Sequence, residues 1–334
     1  SGGVYRPANY DRNFHGPISV RESLASSLNV PAVKVVLMLG LSETYQTIKG
    51  LGFKDMKEPN FYGVSMALGA VDVQLETLAN AYRALAQRGE WSELQYVKSK
   101  EKNLRSTRQL LSPEATYIVE DILSDPMARV IGFGFNTPLE TSFWTAVKTG
   151  TSKDYRDNWC VGFSEKYTVA VWAGNFDATK MQDVSGVAGA GPSWYDIMQF
   201  LHRSERSHPP LMPEGIVKKD IRLPWNSHLR QEVFMKGTEP KGEELQISEI
   251  KDLQFVFPAP NSVLVKNPHL RPDQQALFVR FKGSLPEKAE LFLDGESLGP
   301  AESPFKLLDP PRGQHRLAVK SEGKVLAEVA FKIR

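Results

Sequence analysis

The pattern of apolar and polar positions divides the chain into a loop, a helical stretch and a long strand-forming remainder. Residues 1 to about 18, SGGVYRPANYDRNFHGPI, are rich in Gly, Pro, Asn and Tyr and predict extended loop. Helical signals follow. Ser19 with Glu22 three positions on is a capping box, in which each side chain satisfies a backbone N–H orphaned at a helix start, and it predicts a helix over VRESLASSL. Pro31 suits the first turn of a second helix through KVVLML, Gly40 marks its end, and Ser42 is placed to cap a third. In QLETLANAYRALAQRG the residues Leu75, Leu78, Ala79, Tyr82, Leu85 and Ala86 recur at helical spacing. That stripe is expected in the core, with Gly89 as a left-handed C-cap. Ser112-Pro113-Glu114 opens a further helix through YIVEDIL.

From Thr141 the period changes. TSFWTAVKT, DNWCVGFS and YTVAVWAGN are rich in β-branched and aromatic residues, and the short polar turn at Glu165-Lys166 joins the last two, which predicts an antiparallel meander. GVAGAGPSWYDIMQFL then supplies a glycine loop, a proline for a first helical turn and an amphipathic helix to cover the sheet. Residues 204–250 are dense in Pro, Lys, Glu and Ser with little periodicity, as expected of a connector. Beyond Lys251 only short alternating runs occur: QFVFP, ALFVRF, AELFL, HRLAV and VLAEVAFKI, separated by turn signals such as Asp294-Gly295 and Glu322-Gly323. Such a series predicts a small β-sandwich of roughly six or seven strands, with Phe278 and Phe292 in its core. The whole reads as α+β: a mixed domain over 1–203, a connector over 204–250 and an all-β domain over 251–334.

Composition narrows the chemistry. At 334 residues the chain can bury two or three cores, and 41 basic against 39 acidic side chains, a net charge of +2, argue against a nucleic-acid groove. A single cysteine, Cys160, allows no internal disulfide, and the six histidines lack zinc-site spacing, so no metal is expected. GVAGAG does not follow the spacing that cradles a dinucleotide, and no cofactor is expected either. No apolar run reaches the ~18 residues that span a bilayer, and the first residues lack the basic and apolar regions of a signal peptide. Any export device or anchor is expected upstream of Ser1.

Two short motifs carry candidate chemistry. Lys148-Thr149-Gly150 closes the first strand of the meander and is followed by Thr151; alone, such a triplet is often no more than a strand end with a glycine turn. Upstream lies Ser27-Leu28-Asn29, an S-x-N triplet whose polar residues could equally serve an ordinary helix C-terminus. In this order the pair resembles the second and third motifs of the serine acyl-transferases that include penicillin-binding proteins and class A β-lactamases. The resemblance extends through YRPANYDRNFHGPISVRESLASSLNVPAV and KTGTSKDYRDNWCVGFSEKYTVAVWAGN, which look like class A penicillin-binding proteins. LFLDGESLG and RGQHRLAV are similar to the appended C-terminal domain of their 1C subgroup.

The resemblance implies a peptidoglycan D,D-transpeptidase fold on the periplasmic side of a bacterial inner membrane, acting on a stem peptide and open to β-lactams once its nucleophile is present. It implies that Lys148 supplies a positive charge near the nucleophile, that Ser27 relays a proton, and that Asn29 donates to a substrate carbonyl. Thr149 and Thr151 would recognise a carboxylate, the Thr151 N–H would join the oxyanion hole, and Gly150 would leave room for a substrate strand. The family's nucleophile lies in an S-x-x-K motif upstream of S-x-N, and no such motif precedes Ser27. The matches at Ser99–Lys102 and Ser321–Lys324 fall after it in charged or hairpin contexts, so the chain is expected to begin just after the nucleophile helix and to be inactive alone. The alternative is an inactive scaffold or partner-binding module on the same fold, with the C-terminal domain as the docking element. Cys160 alternates with Trp159 and Val161 in an apolar strand and reads as a buried hydrophobe, and His315 reads as structural.

Overall fold

A computed structural model describes residues 7–10, 13–97, 106–134, 137–152, 155–181, 184–223, 226–240, 253–258, 260–264, 276–283, 285–286, 288–302 and 305–334. The chain forms two compact units, Ser1–Phe133 with Thr137–Gly215, and Gly134–Asn136 with Ile216–Arg334.

In the first unit α1 (Val20–Ala25) starts at Ser19, whose Oγ accepts from the Glu22 N–H at 3.1 Å and donates to Glu22 Oε2 at 2.9 Å. The helix stops at Ala25, short of the expected end. Ser27 turns to φ 57°, and the Ser27 and Leu28 amides fold back onto Leu24 O (3.1 Å) and Ser23 O (3.0 Å), the pattern that closes a helix through a left-handed residue. A second helix, α2 (Asn29–Leu39), begins at once, and α3 (Leu41–Gly50) starts from Gly40, so Ser42 lies inside its first turn rather than capping it. The short α4 (Pro59–Tyr62) runs into a 3-10 turn, Gly63–Leu68.

Helix α5 (Leu75–Ala86) ends as expected at Gly89, φ 86°, whose N–H reaches Ala84 O at 2.8 Å. Its most buried residues are Asn80, Ala81 and Ala84, whereas Leu75 is exposed. Tyr82, Leu85 and Ala86 of the expected stripe do pack into the core, and beside them Asn80 is buried for a polar reason: its Nδ2 donates to Ser92 O (3.1 Å) and its Oδ1 accepts from Arg83 Nε (2.8 Å), tying α5 to β1 (Glu90–Ser92). β1 pairs antiparallel with β2 (Thr107–Gln109). Helix α6 (Pro113–Ser124) is capped by Ser112, which accepts from the Ala115 N–H at 3.1 Å. Arg21 crosses from α1 to Asp121 of α6 at 2.5 Å and to Asp125 at 3.5 Å. A 3-10 turn (Met127–Arg129) leads to α7 (Val130–Phe133).

The predicted meander forms: β3 (Ala146–Thr151), β4 (Asp157–Phe163) and β5 (Thr168–Gly174) are antiparallel in that order, leaving β3 at an edge. After α8 (Gly186–Gly189), α9 (Gly191–Leu201) covers one face, burying Trp194 and Met198 completely against Val147, Cys160 and Val169. The opposite face packs Ala146 and Phe163 against Leu123 of α6 and Tyr82 and Leu85 of α5.

The second unit opens with a hairpin where the composition suggested a connector: β6 (Ile216–Leu223) pairs antiparallel with β7 (Asn226–Met235). Alternation is present in IVKKDIRL, but its charge density hid it, because antiparallel strands tolerate a polar face. One sheet beyond it has the order β13-β10-β8 and the other β12-β11-β14-β15-β9. These are β8 (Gln254–Phe257), β9 (Val263–Leu264), β10 (Ala276–Lys282), β11 (Ala289–Leu293), β12 (Glu296–Pro300), β13 (Phe305–Leu308), β14 (Gly313–Ser321) and β15 (Lys324–Ile333). Leu277, Val279 and Phe281 from one sheet meet Leu291, Leu317, Val319 and Phe331 from the other in a single core. Phe292 is not part of that core. It lies on the other face of its strand beneath the Lys320 ammonium, 4.4 Å from the ring centre, while the Phe278 side chain lies outside the described residues.

Candidate active site

The turn between α1 and α2 holds Ser27 in the left-handed region, where a side chain costs about 1–2 kcal/mol and glycine is the usual occupant. The neighbouring Ser26 braces this turn through Oγ–H to Ala128 O at 2.7 Å. Strain of this kind persists only where the surroundings impose it. Here the backbone bonds of Ser27 and Leu28 close the turn, and the Ser27 hydroxyl meets Lys148 of β3, whose Nζ donates to Ser27 Oγ at 2.6 Å and to Thr149 O at 2.8 Å. The two residues are 121 positions apart in sequence. Burial lowers the Lys148 pKa to about 8, and the nearby Arg129 guanidinium pushes the same way. At neutral pH the amine is therefore still mainly protonated, yet close to releasing its proton.

Asn29 is the first residue of α2, with its Nδ2 donating to Ala8 O at 2.9 Å. Leu28 cannot cap the helix through its side chain, and Asn9 substitutes for it: Asn9 Oδ1 accepts the Val30 N–H at 3.0 Å, and its Nδ2 donates to Asn13 O at 2.7 Å. Tyr10 continues the same segment to Tyr155, just past the KTGTS run, with the two hydroxyls 2.8 Å apart. The loop composition around Asn9 and Tyr10 gave no hint of these roles; an asparagine near a helix that lacks its own cap was the available signal.

Lys148 and Gly150 lie on one face of β3, and Thr149 and Thr151 on the other, by strand alternation. Thr149 is buried and Thr151 exposed, with the Thr151 Oγ1 accepting the Gly186 N–H at 2.9 Å. A Cβ built on Gly150 would meet Trp159 Cβ at 3.5 Å, an ordinary contact. Among the described residues nothing requires glycine there, and a requirement would have to come from whatever approaches the edge of β3 that these residues leave unpaired.

Other candidates fall away. Cys160 is fully buried, and burial pushes its thiol up to about 12, so it carries no thiolate at neutral pH. Ser321 and Lys324 face each other at the mouth of the β14–β15 hairpin in the second unit, while Ser99–Lys102 lies outside the described residues. His315 contacts Asp294 Oδ2 through Nδ1 at 2.7 Å and Pro311 O through Nε2 at 2.8 Å, and packs on Phe331, a structural arrangement.

Comparison with known proteins bears on this geometry. Residues 1–199 match the family described as penicillin binding protein transpeptidase domain. Penicillin-binding protein 1C of Escherichia coli (strain K12) is 34% identical over 232 residues, covering 68% of this chain and 29% of that protein. Penicillin-binding protein 1A of Neisseria gonorrhoeae is 29% identical over 235 residues, covering 66% and 29%. The chain therefore spans less than a third of these relatives. The crystal structure of penicillin-binding protein 1A from Haemophilus influenzae superposes with a TM-score of 0.61 at 20% identity, over 72% of this chain and 43% of that one, a likeness of fold. With the family matched across both motifs, and Ser27 and Lys148 in hydrogen-bond contact, the chain belongs to the penicillin-binding protein transpeptidases, in their class A branch.

Proposed function

We propose that this chain carries the proton-transfer and substrate-binding half of a peptidoglycan D,D-transpeptidase. The observation that carries the reading is the 2.6 Å contact between Lys148 Nζ and Ser27 Oγ. A protonated amine poised near pKa 8 next to a hydroxyl is suited to hand a proton through that hydroxyl to a departing amine. Lys148 and Ser27 serve that relay. Asn29 carries two amide N–H groups; one meets Ala8 O, and the second is assigned to a carbonyl of the stem peptide. Thr151 and Thr149 are assigned to the terminal carboxylate, the Thr151 N–H to the oxyanion, and Gly150 to clearance for a peptide pairing along β3.

The attacking serine belongs to an S-x-x-K segment, and no such segment precedes Ser27 in the 334 residues. The reaction is placed on the periplasmic side of the inner membrane, and a protein partner is assigned to the β-rich second unit. Labelled penicillin tests the reading. The 334 residues alone should form no stable adduct, and a version extended to include the S-x-x-K helix should acylate stoichiometrically. Lys148→Ala in the extended protein should slow acylation by about two orders of magnitude or more. Near-normal acylation by that variant removes Lys148 from the mechanism, and an adduct on the unextended chain overturns the assignment of the nucleophile.

A further inference from the structure

The GVAGAG run has no part in the proton relay, yet it sits directly on the end of β3. The Gly186 N–H meets Thr151 Oγ1 at 2.9 Å. A Cβ on Gly186 would lie 2.4 Å from Gly150 O and 2.8 Å from Trp159 O, and one on Gly189 would lie 2.8 Å from Asn158 Nδ2. The first clash is with backbone, which cannot yield as a side-chain end can. Glycine at 186 is therefore what lets this turn approach closely enough for its amide to reach the threonine.

The turn is held from below by Asn158. This residue stands opposite Thr151 in the β3–β4 ladder, is completely buried, and donates Nδ2 to Val184 O at 2.7 Å, two positions before Gly186. Its Oδ1 is buried and has no hydrogen-bond partner among the described residues. A buried acceptor left unpaired is costly, so a side chain chosen for packing alone would be apolar.

We infer that Asn158 and the Gly186 turn form a positioning device that presents the Thr151 hydroxyl as a hydrogen-bond donor to a terminal carboxylate. A hydroxyl has one proton. With the Gly186 amide occupying an acceptor position on Oγ1, that proton is turned away from the turn, towards the exposed side of Thr151. A carboxylate offers acceptors on both oxygens, whereas a carboxamide offers one oxygen and a competing donor. The device therefore favours peptides with a free C-terminus. Asn158 acts through Thr151 and is a positioning residue, not a catalytic one. This inference rests on the assignment of Thr151 to substrate binding made above.

The test uses the 334-residue chain, ¹⁵N-labelled, titrated by NMR with diacetyl-L-Lys-D-Ala-D-Ala and with the same peptide as its C-terminal carboxamide. The wild type should prefer the carboxylate form. Asn158→Leu, which keeps the volume and removes the donor to Val184, should reduce that preference about tenfold, the scale of one hydrogen bond to a charged group. Thr151→Val should reduce it at least as much, leaving what Thr149 contributes, and in that background Asn158→Leu should have no further effect. Should Asn158→Leu not fold, Asn158→Ala serves in the same cycle. A full preference retained by the Asn158 variant, or losses that add in the double variant, overturns the positioning role while leaving the substrate assignment standing. A wild type that does not distinguish the two peptides overturns the substrate assignment and the positioning role with it.

Discussion

Replacing Ser27 separates what its hydroxyl does from what its backbone costs. Ser27→Ala removes the bond from Lys148 and keeps a side chain at φ 57°. A hydrogen bond to a charged group contributes about 1.5–3 kcal/mol, so the alanine variant should lose about that much. Ser27→Gly removes the same bond and also relieves the left-handed strain of about 1–2 kcal/mol. Against this stands the extra freedom of glycine in the unfolded chain, about 0.4–1 kcal/mol. The difference leaves the glycine variant roughly 0.5–1 kcal/mol more stable than the alanine variant, a gap of about 2–4 °C in Tm at the upper end for a unit of this size. Urea unfolding followed by tryptophan fluorescence reads the right part of the molecule, because five of the six tryptophans (Trp91, Trp144, Trp159, Trp172 and Trp194) belong to the first unit. A glycine variant no more stable than the alanine variant would refute the view that the turn between α1 and α2 holds residue 27 in a strained left-handed conformation.

Three further outcomes are expected. Glu120 is buried on α6 and desolvation raises its carboxyl to about 7, so the folded state favours the protonated form, and the stability this gives is present below the ordinary value of 4.5 and lost as pH rises through about 7. Glu120→Gln should match wild type at pH 4 and be more stable at pH 8 by up to about 3 kcal/mol; equal urea midpoints at pH 8 would contradict it. Lys148 has the opposite shift for a base: its charged form is disfavoured on folding, so that cost is fully present below about pH 8 and disappears as pH rises towards 10.5. Relative to Lys148→Met, the wild type should gain stability between pH 8 and 10, and a flat difference across that range would exclude the buried amine as its source. Leu291, fully buried between the two sheets, should cost about 2–5 kcal/mol as Leu291→Ala, and calorimetry should show only one of two transitions shifted if the second unit unfolds on its own; a shift of both would show that the units unfold together.

What the sequence determined by itself is what short-range physics controls. The Ser19 and Ser112 caps, the Gly89 terminus, the three strands of the meander and the alternation of the C-terminal strands each depend on residues within a turn or a strand of one another. The S-x-N and KTG motifs were legible for the same reason, as local strings. Their meeting was expected only through the family resemblance and not from the local pattern, because nothing between Ser27 and Lys148 along the chain forces a contact across 121 positions. Tertiary contacts also meet the end of α1, where a left-handed Ser27 is locally unfavourable, its neighbour Ser26 is braced on Ala128 O and its hydroxyl meets Lys148 of β3. It made Asn9 the surrogate cap of α2, turned Asn80 inward to meet Ser92, and lowered the Gly186 turn onto Thr151. In each case a polar group found a partner far away in sequence, and periodicity counts apolar positions, so it carries no information about where a buried donor will find its acceptor.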